Sequence, residues 1–172
     1  LGGRDKAWLE RAGMPQVMRV ARRFADEVGA VLVSANAGHA RYREAGLEAV
    51  ADRIADIGPL GGLEALAAHC TTPWLFTLPV DIVDAKDCLL RTLARAGGDG
   101  AVARDDDGPQ PLAALYRVDA LRGAIAATLA SGTHSVQAMQ AAMPLPVVAF
   151  GGLRFGNLNT HDDLRLAGYA DD

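Results

Sequence analysis

Short apolar runs rich in β-branched residues alternate along this chain with stretches of helical period, and that alternation limits the possible folds more than any other feature. Residues 15–28, PQVMRVARRFADEV, place Val17, Val20, Ala21, Phe24 and Val28 on one helical face, with Pro15 at a starting position and Gly29 as the stop. AVLVS (30–34) follows as a strand by its length and composition. A polar helical turn, HARYREAG (39–46), a strand, LEAVAD (47–52), and a helix from the GPLGG loop to His69 come next. The run from Trp74 to Leu78 is almost wholly apolar, as in a parallel strand covered on both faces. DAKDCLLRTLARAGGDG reads as a helix closed by glycines, GAVAR (100–104) as a strand, DDDGPQ as a solvated turn and PLAALYR (111–117) as a strand. VDALRGAIAATLASG, with Asp119 available as its cap, and SVQAMQAAM are helices; PVVAF (146–150) is the last strand and THDDLRLAGYA a short final helix. Strands alternating with helices predict an α/β domain with a mostly parallel sheet.

The 172 residues suffice for one domain with a sizeable core, and no repeat, low-complexity tract or linker divides them. A net charge of −4, with Lys and Arg dispersed, excludes the basic stripe of a nucleic-acid-binding protein. No apolar run approaches the roughly 18 residues of a membrane span. Arg4, Asp5 and Lys6 precede no apolar core of a signal peptide. The expectation is a cytoplasmic protein with neither nucleic-acid nor membrane partners. Cys70 and Cys88 sit beside apolar residues with no histidine at zinc-ligand spacing, which predicts buried free thiols.

In open parallel sheets, ligands bind beyond the carboxyl ends of the strands. Ser34 and Asn36 follow AVLV, Asp52 follows LEAVA, Asp81 follows WLFTLPV, and Asn157 and Asn159 follow the strand PVVAF and a glycine turn. A lone carboxylate in the place of Asp81 suits a magnesium ion, which takes few protein carboxylates and completes its shell with phosphate and water. It equally suits the cap of a helix beginning near Asp84. Asp52 reads either as a ligand group or as the partner of Arg53, and Asn36 either as a ligand group or as a turn residue before Gly38. His39, His69, His134 and His161 share no spacing, and neither GxSxG nor HExxH occurs. The opening GGRDK completes neither a Walker loop nor GxGxxG.

The pieces gain meaning as an ordered set: GGRDK, SAN, AD before GPLGG, LPVD after an apolar strand, QPL followed by ALY, and NLNTHDDL. From Leu1 to about residue 165 the chain resembles the molybdenum cofactor guanylyltransferases, and more broadly the nucleotidyltransferases of the nucleotide-diphospho-sugar type. The resemblance implies a three-layer α/β/α sandwich with a Rossmann-like sheet. It implies transfer of GMP from GTP to the terminal phosphate of molybdopterin or molybdenum cofactor, with Mg2+ and release of pyrophosphate. It gives Lys6 to the nucleotide phosphates, Gly2 and Gly3 to close backbone approach, and Asp81 to the metal. Ser34, Asn36 and Asp52 fall on the nucleoside, and Asn157 and Asn159 near the metal and the pterin. Lys6, Arg4 and Arg154 are the candidates for a positive pocket.

The family signature begins with a strand and an LAGG turn, of which this chain carries only the GGxDK ending. That layout implies that about 20 further residues precede Leu1, and that the single domain of residues 1–172 lacks its first strand. Two departures stand out. The run LPCDTP is LPVDIV here, and RRV is His134-Ser135-Val136, without an arginine for the anionic pterin. A CTP-dependent cytidylyltransferase and a non-catalytic nucleotide-binding relative are the alternative readings. Other proteins of cofactor biosynthesis are the further partners the resemblance suggests.

Overall fold

A computed structural model describes residues 5–83, 85–156, 158 and 161–169. The chain enters through a 3-10 turn, Lys6–Trp8, whose Ala7 N–H donates to the Asp5 carboxylate at 3.0 Å. Strands β1 (Glu10–Arg11) and β2 (Met14–Pro15) then form a small antiparallel hairpin. Its two turn residues, Ala12 and Gly13, have φ of 52° and 71°. Tight hairpins need that left-handed backbone, and Ala-Gly announces it less clearly than Asn-Gly, so the sequence pattern does not reveal this hairpin.

Helix α1 spans Gln16–Arg23 and ends at Phe24, earlier than the apolar pattern to Val28 suggested. Strands β3 (Leu32–Ser34) and β4 (Glu48–Val50) pair in parallel, with Val33 opposite Ala49, across helix α2 (His39–Glu44). Helix α3 (Pro59–His69), strand β5 (Trp74–Thr77) and helix α4 (Leu89–Arg95) follow. Next come β6 (Gly100–Asp105), β7 (Gly108–Arg117), α5 (Val118–Ala130), α6 (Val136–Ala141), β8 (Val147–Ala149) and α7 (His161–Leu166).

The larger sheet has the order β5-β7-β6-β8. Within it β8 runs parallel to β6, whereas β7 runs antiparallel to both its neighbours. The reason is local: Asp106 and Asp107 alone connect β6 to β7, and so short a link closes only an antiparallel pair. The sheet is therefore mixed, with helices on both sides.

Alternation along β6 and β7 builds two cores. Val102, Ala114 and Tyr116 meet Leu60, Leu63, Leu121, Ile125, Val136 and Met139 on the side of α3, α5 and α6. Ala101, Ala103, Ala113 and Leu115 face the other way, onto Phe24, Leu89, Leu93, Phe150 and Phe155. Three layers result, as the resemblance implies. Gly100 makes the closest backbone approach. At φ 129° an added Cβ would lie 2.0 Å from the Leu115 carbonyl oxygen.

Some expectations need correction. Trp74 is 42% exposed, so β5 is not covered on both faces. Cys70 and Cys88 are free thiols, but Cys70 is half-buried and Cys88 exposed, because each flanks a helix end rather than its packed face. Asp119 lies in the first turn of α5 without capping it. Among the described residues no helix is long and apolar enough to cross a membrane.

Candidate functional site

Two groups of polar side chains form where strands end. In the first, Lys6 at the head of the entry turn donates from Nζ to Asp81 Oδ2 at 2.9 Å. Both side chains are partly buried. Asp81 lies in the loop after β5, and that loop is held on two sides. Gln16 donates from Nε2 to the carbonyls of Val80 at 3.0 Å and Ile82 at 2.7 Å. On the other side Val83 N–H donates to Phe155 O at 2.9 Å, and Leu158 N–H to Asp81 O at 3.3 Å. The capping alternative for Asp81 fails, since the next helix, α4, begins at Leu89 with Cys88 at its cap.

The second group follows the adjacent parallel strands β3 and β4. Asn36 and Asp52 bind each other reciprocally: Asn36 Nδ2 donates to Asp52 Oδ2 at 3.0 Å, and Asp52 N–H donates to Asn36 Oδ1 at 2.8 Å. Ser34 Oγ reaches Asp52 Oδ1 at 3.5 Å. Arg53 turns instead to Glu64, at 3.6 Å, so the Asp52–Arg53 pairing does not form.

The GPLGG loop brings α3 against this group. Gly58, with φ 62°, precedes Pro59 in the first turn, the place where a fixed φ and a missing N–H cost least. A Cβ on Gly62 would lie 2.5 Å from Ser34 Oγ, and one on Gly61 would lie 3.1 Å from Asp52 Oδ2. A side chain at either position would press on Ser34 or Asp52, which glycine avoids.

A small apolar cluster joins the two groups. Ala7, Val17 and Tyr42 pack with Trp8 and Val80 from the Lys6–Asp81 side and with Val33, Ala35 and Ala49 from the strand ends. Trp8 lies 4.9 Å from Tyr42, and the Arg41 guanidinium sits 4.0 Å over the indole. A half-open cleft of about 500 Å³ lined by Arg53, Glu64, Arg122 and Ile125 shares no residue with either group.

The residue that sequence reasoning missed is Asp105. The acidic run was read as a solvated turn, and Asp106 and Asp107 do form it, yet Asp105 is only 5% exposed. Its Oδ1 accepts from Asp107 N and Gln110 Nε2, both at 3.0 Å, and its Oδ2 accepts from Phe155 N at 2.8 Å. Burial pushes this carboxyl up. The hydrogen bonds from Phe155, Gln110, Asp107 and Gly108 outweigh burial and hold it below its ordinary value of 3.8. Asp106 joins in, donating from N–H to Leu153 O at 2.9 Å and accepting from Gly152 N at 3.1 Å. The hairpin thus clamps the loop whose Phe155 carbonyl supports the Asp81 segment. No residue pattern says which of three adjacent acids turns inward.

Ser135, in place of an arginine of the resemblance, is the N-cap of α6 and accepts from Ala138 N at 3.3 Å. Arg154 is largely exposed and pairs with Asp107 at 3.4 Å. Gly2, Gly3, Arg4, Asn157 and Asn159 lie outside the described residues.

Among the described residues no group of three or more His, Cys, Asp or Glu side chains could hold a metal ion. One carboxylate, with Oδ1 bonded to no donor among the described residues and a lysine on Oδ2, suits an ion that brings phosphate and water as its other ligands.

Comparison with known proteins decides the family. The profile of the MobA-like NTP transferase domain matches residues 1–144. The chain belongs to this family. It is 34% identical over 176 residues to the molybdenum cofactor guanylyltransferase of Cupriavidus necator, covering 96% of this chain and 88% of that one. The molybdopterin-guanine dinucleotide biosynthesis protein A of Archaeoglobus fulgidus shares the fold with a TM-score of 0.70 at 21% identity, over 96% of this chain and 90% of that one. A Mycobacterium tuberculosis protein solved in complex with manganese has a TM-score of 0.70 at 17% identity, over 96% and 92% of the two chains. This MobA-like chain is a nucleotidyltransferase with a biosynthetic role of the molybdenum cofactor type.

Proposed function

We propose that this MobA-like transferase moves GMP from GTP to the terminal phosphate of molybdopterin, or of its molybdenum-loaded form, and releases pyrophosphate. The observation that carries the reading is the Lys6–Asp81 pair, 2.9 Å apart, joined by a common apolar cluster to the Asn36–Asp52 pair at the ends of β3 and β4. A cation beside a carboxylate at one station and a rigid polar acceptor at the next suit the phosphate and base ends of a nucleotide.

In this reading a phosphate oxygen of the pterin attacks the α-phosphorus of GTP. The new P–O bond forms as the bond to pyrophosphate breaks. The attacking oxygen is already ionised at neutral pH, so no general base is needed, in keeping with histidines that share no spacing. What remains for the protein is alignment and charge neutralisation. Lys6 draws the nucleotide phosphates, and Gly2 and Gly3 let the backbone approach them. Asp81 would hold Mg2+, and that ion would supply positive charge to offset the charge of the phosphates. Asp52, fixed by Asn36 and flanked by Ser34, accepts from the N–H edge of guanine. Asn157 and Asn159 serve the metal and pterin side. With His134 and Ser135 where arginines stand in the resemblance, this chain lacks that arginine contact for the anionic pterin.

Titration calorimetry with GTP and then CTP, each with excess magnesium, tests the reading. Selective GTP binding, followed by pyrophosphate release that depends on both GTP and the pterin, is the expected result. Selective CTP binding would reassign the chain to cytidylyl transfer, and GTP binding without turnover to a non-catalytic role. Silence with both nucleotides would overturn the site itself.

A further inference from the structure

We infer that Gln16 is a positioning residue, whose buried amide sets the placement of Asp81 relative to Lys6. The inference rests on the reading that Asp81 holds the metal. Gln16 is the first residue of α1 and is 2% exposed. A side-chain amide at a helix start would ordinarily serve its own helix, yet among the described residues the Gln16 side chain bonds only to groups outside α1. Both of its bonds from Nε2 go instead to the two carbonyls that flank Asp81, those of Val80 and Ile82. Its Oε1 accepts from the Tyr169 hydroxyl. Donor and acceptor ends are thus both engaged, which is what makes a buried amide tolerable and fixes its orientation.

The backbone of the same residue reaches the other half of the pair. Gln16 N–H donates to Leu9 O at 2.9 Å, and Leu9 N–H donates to Lys6 O at 3.4 Å. One residue is therefore hydrogen-bonded to the Asp81 loop through its side chain and, one step removed, to the Lys6 turn through its main chain. An apolar residue of the same size would fill the space but could not grip either carbonyl. Groups that orient a metal ligand without touching the ion commonly change metal affinity by about ten- to a hundredfold when removed.

The test measures GTP affinity by calorimetry in EDTA and again with excess Mn2+, and takes the ratio as the metal-dependent gain. Gln16→Leu is expected to cut that gain about tenfold or more while leaving affinity in EDTA unchanged. Asp81→Asn is expected to abolish the gain. If Asp81→Asn abolishes it and Gln16→Leu leaves it at the wild-type value, the role of Gln16 is overturned and the metal reading stands. An equal weakening of GTP with and without Mn2+ in Gln16→Leu also overturns it, since that is the mark of a merely structural role. If Asp81→Asn leaves the gain intact, the underlying reading falls and the inference with it. Should Gln16→Leu fail to fold, as read by circular dichroism, Tyr169→Phe removes the hydroxyl that donates to the acceptor end of Gln16. A smaller drop in the same gain is then expected, and no drop overturns the proposal.

Discussion

An ammonium 2.9 Å from a carboxylate, both partly open to solvent, is a pair that a polyanion can rearrange. Neither group is buried deeply enough to lock the contact, so binding of phosphates to Lys6 need not break an expensive interior salt bridge. Charge-assisted hydrogen bonds of this kind contribute about 1.5–3 kcal/mol. Lys6→Ala should therefore lower kcat/KM by that amount in steady-state kinetics, and unchanged kinetics would remove Lys6 from the site. The glycines at the head of α3 set a second limit at this scale. Gly61→Ala puts a methyl 3.1 Å from Asp52 Oδ2, the Ile54 carbonyl oxygen and Ile57 Cγ1. One of these neighbours is backbone and cannot swing aside. We expect a loss of about 1–3 kcal/mol in stability, read by urea unfolding, together with weaker GTP binding.

Among the elements, the β6–β7 hairpin does the most for the site while standing outside it. Asp105 ties the turn to Phe155, and Phe155 in turn accepts from Val83, two residues past Asp81. Asp105→Ala leaves the Phe155 N–H and the Gln110 amide without their acceptor. A cost of about 1–3 kcal/mol for each donor left buried and unpaired follows, measurable as a lower urea midpoint. At the start of β6, Gly100 answers to a different constraint. Its positive φ and the 2.0 Å approach to Leu115 O leave no room for a side chain, and Gly100→Ala should destabilise by about 3 kcal/mol or more. Expression of soluble, cooperatively folding Gly100→Ala protein at wild-type stability would contradict this pairing of β6 with β7.

For the whole molecule, burial and hydrogen bonding tie stability to pH at Asp105 on the acid side and at Tyr116 on the alkaline side. Asp105 titrates below its ordinary 3.8, so its contribution is present above that value and is lost as pH falls through the lower folded-state value. Tyr116 is fully buried under α6. Burial pushes its hydroxyl up from 10.0 to about 12, against a smaller opposing effect of the bond from Gln140. The folded state then holds a proton that the unfolded state gives up. The contribution of Tyr116 is present below pH 10 and is lost as pH rises from 10 to about 12. Denaturation across this range should show an alkaline loss that is smaller by about 2–3 kcal/mol in Tyr116→Phe.

The layered α/β order was legible from the chain because burial is non-directional and local. Whether a residue faces a core depends on its place in a 3.6- or 2-residue period, and periods are written in consecutive residues. The stations of Ser34, Asn36, Asp52 and Asp81 were legible for the same reason, each standing within a few residues of the end of an apolar run. Hydrogen-bond partners are not encoded that way. Lys6 meets Asp81 across 75 positions, Gln16 meets Val80 across 64, and Asp105 meets Phe155 across 50. Each bond needs a short, directed contact that exists only once the chain has returned to the same place. The sequence by itself therefore determined the order of elements and the residues available at strand ends. Only the tertiary structure decided that Asp81 pairs with a lysine, that one of three acids turns inward, and that a glutamine at the start of a helix grips the loop on which Asp81 stands.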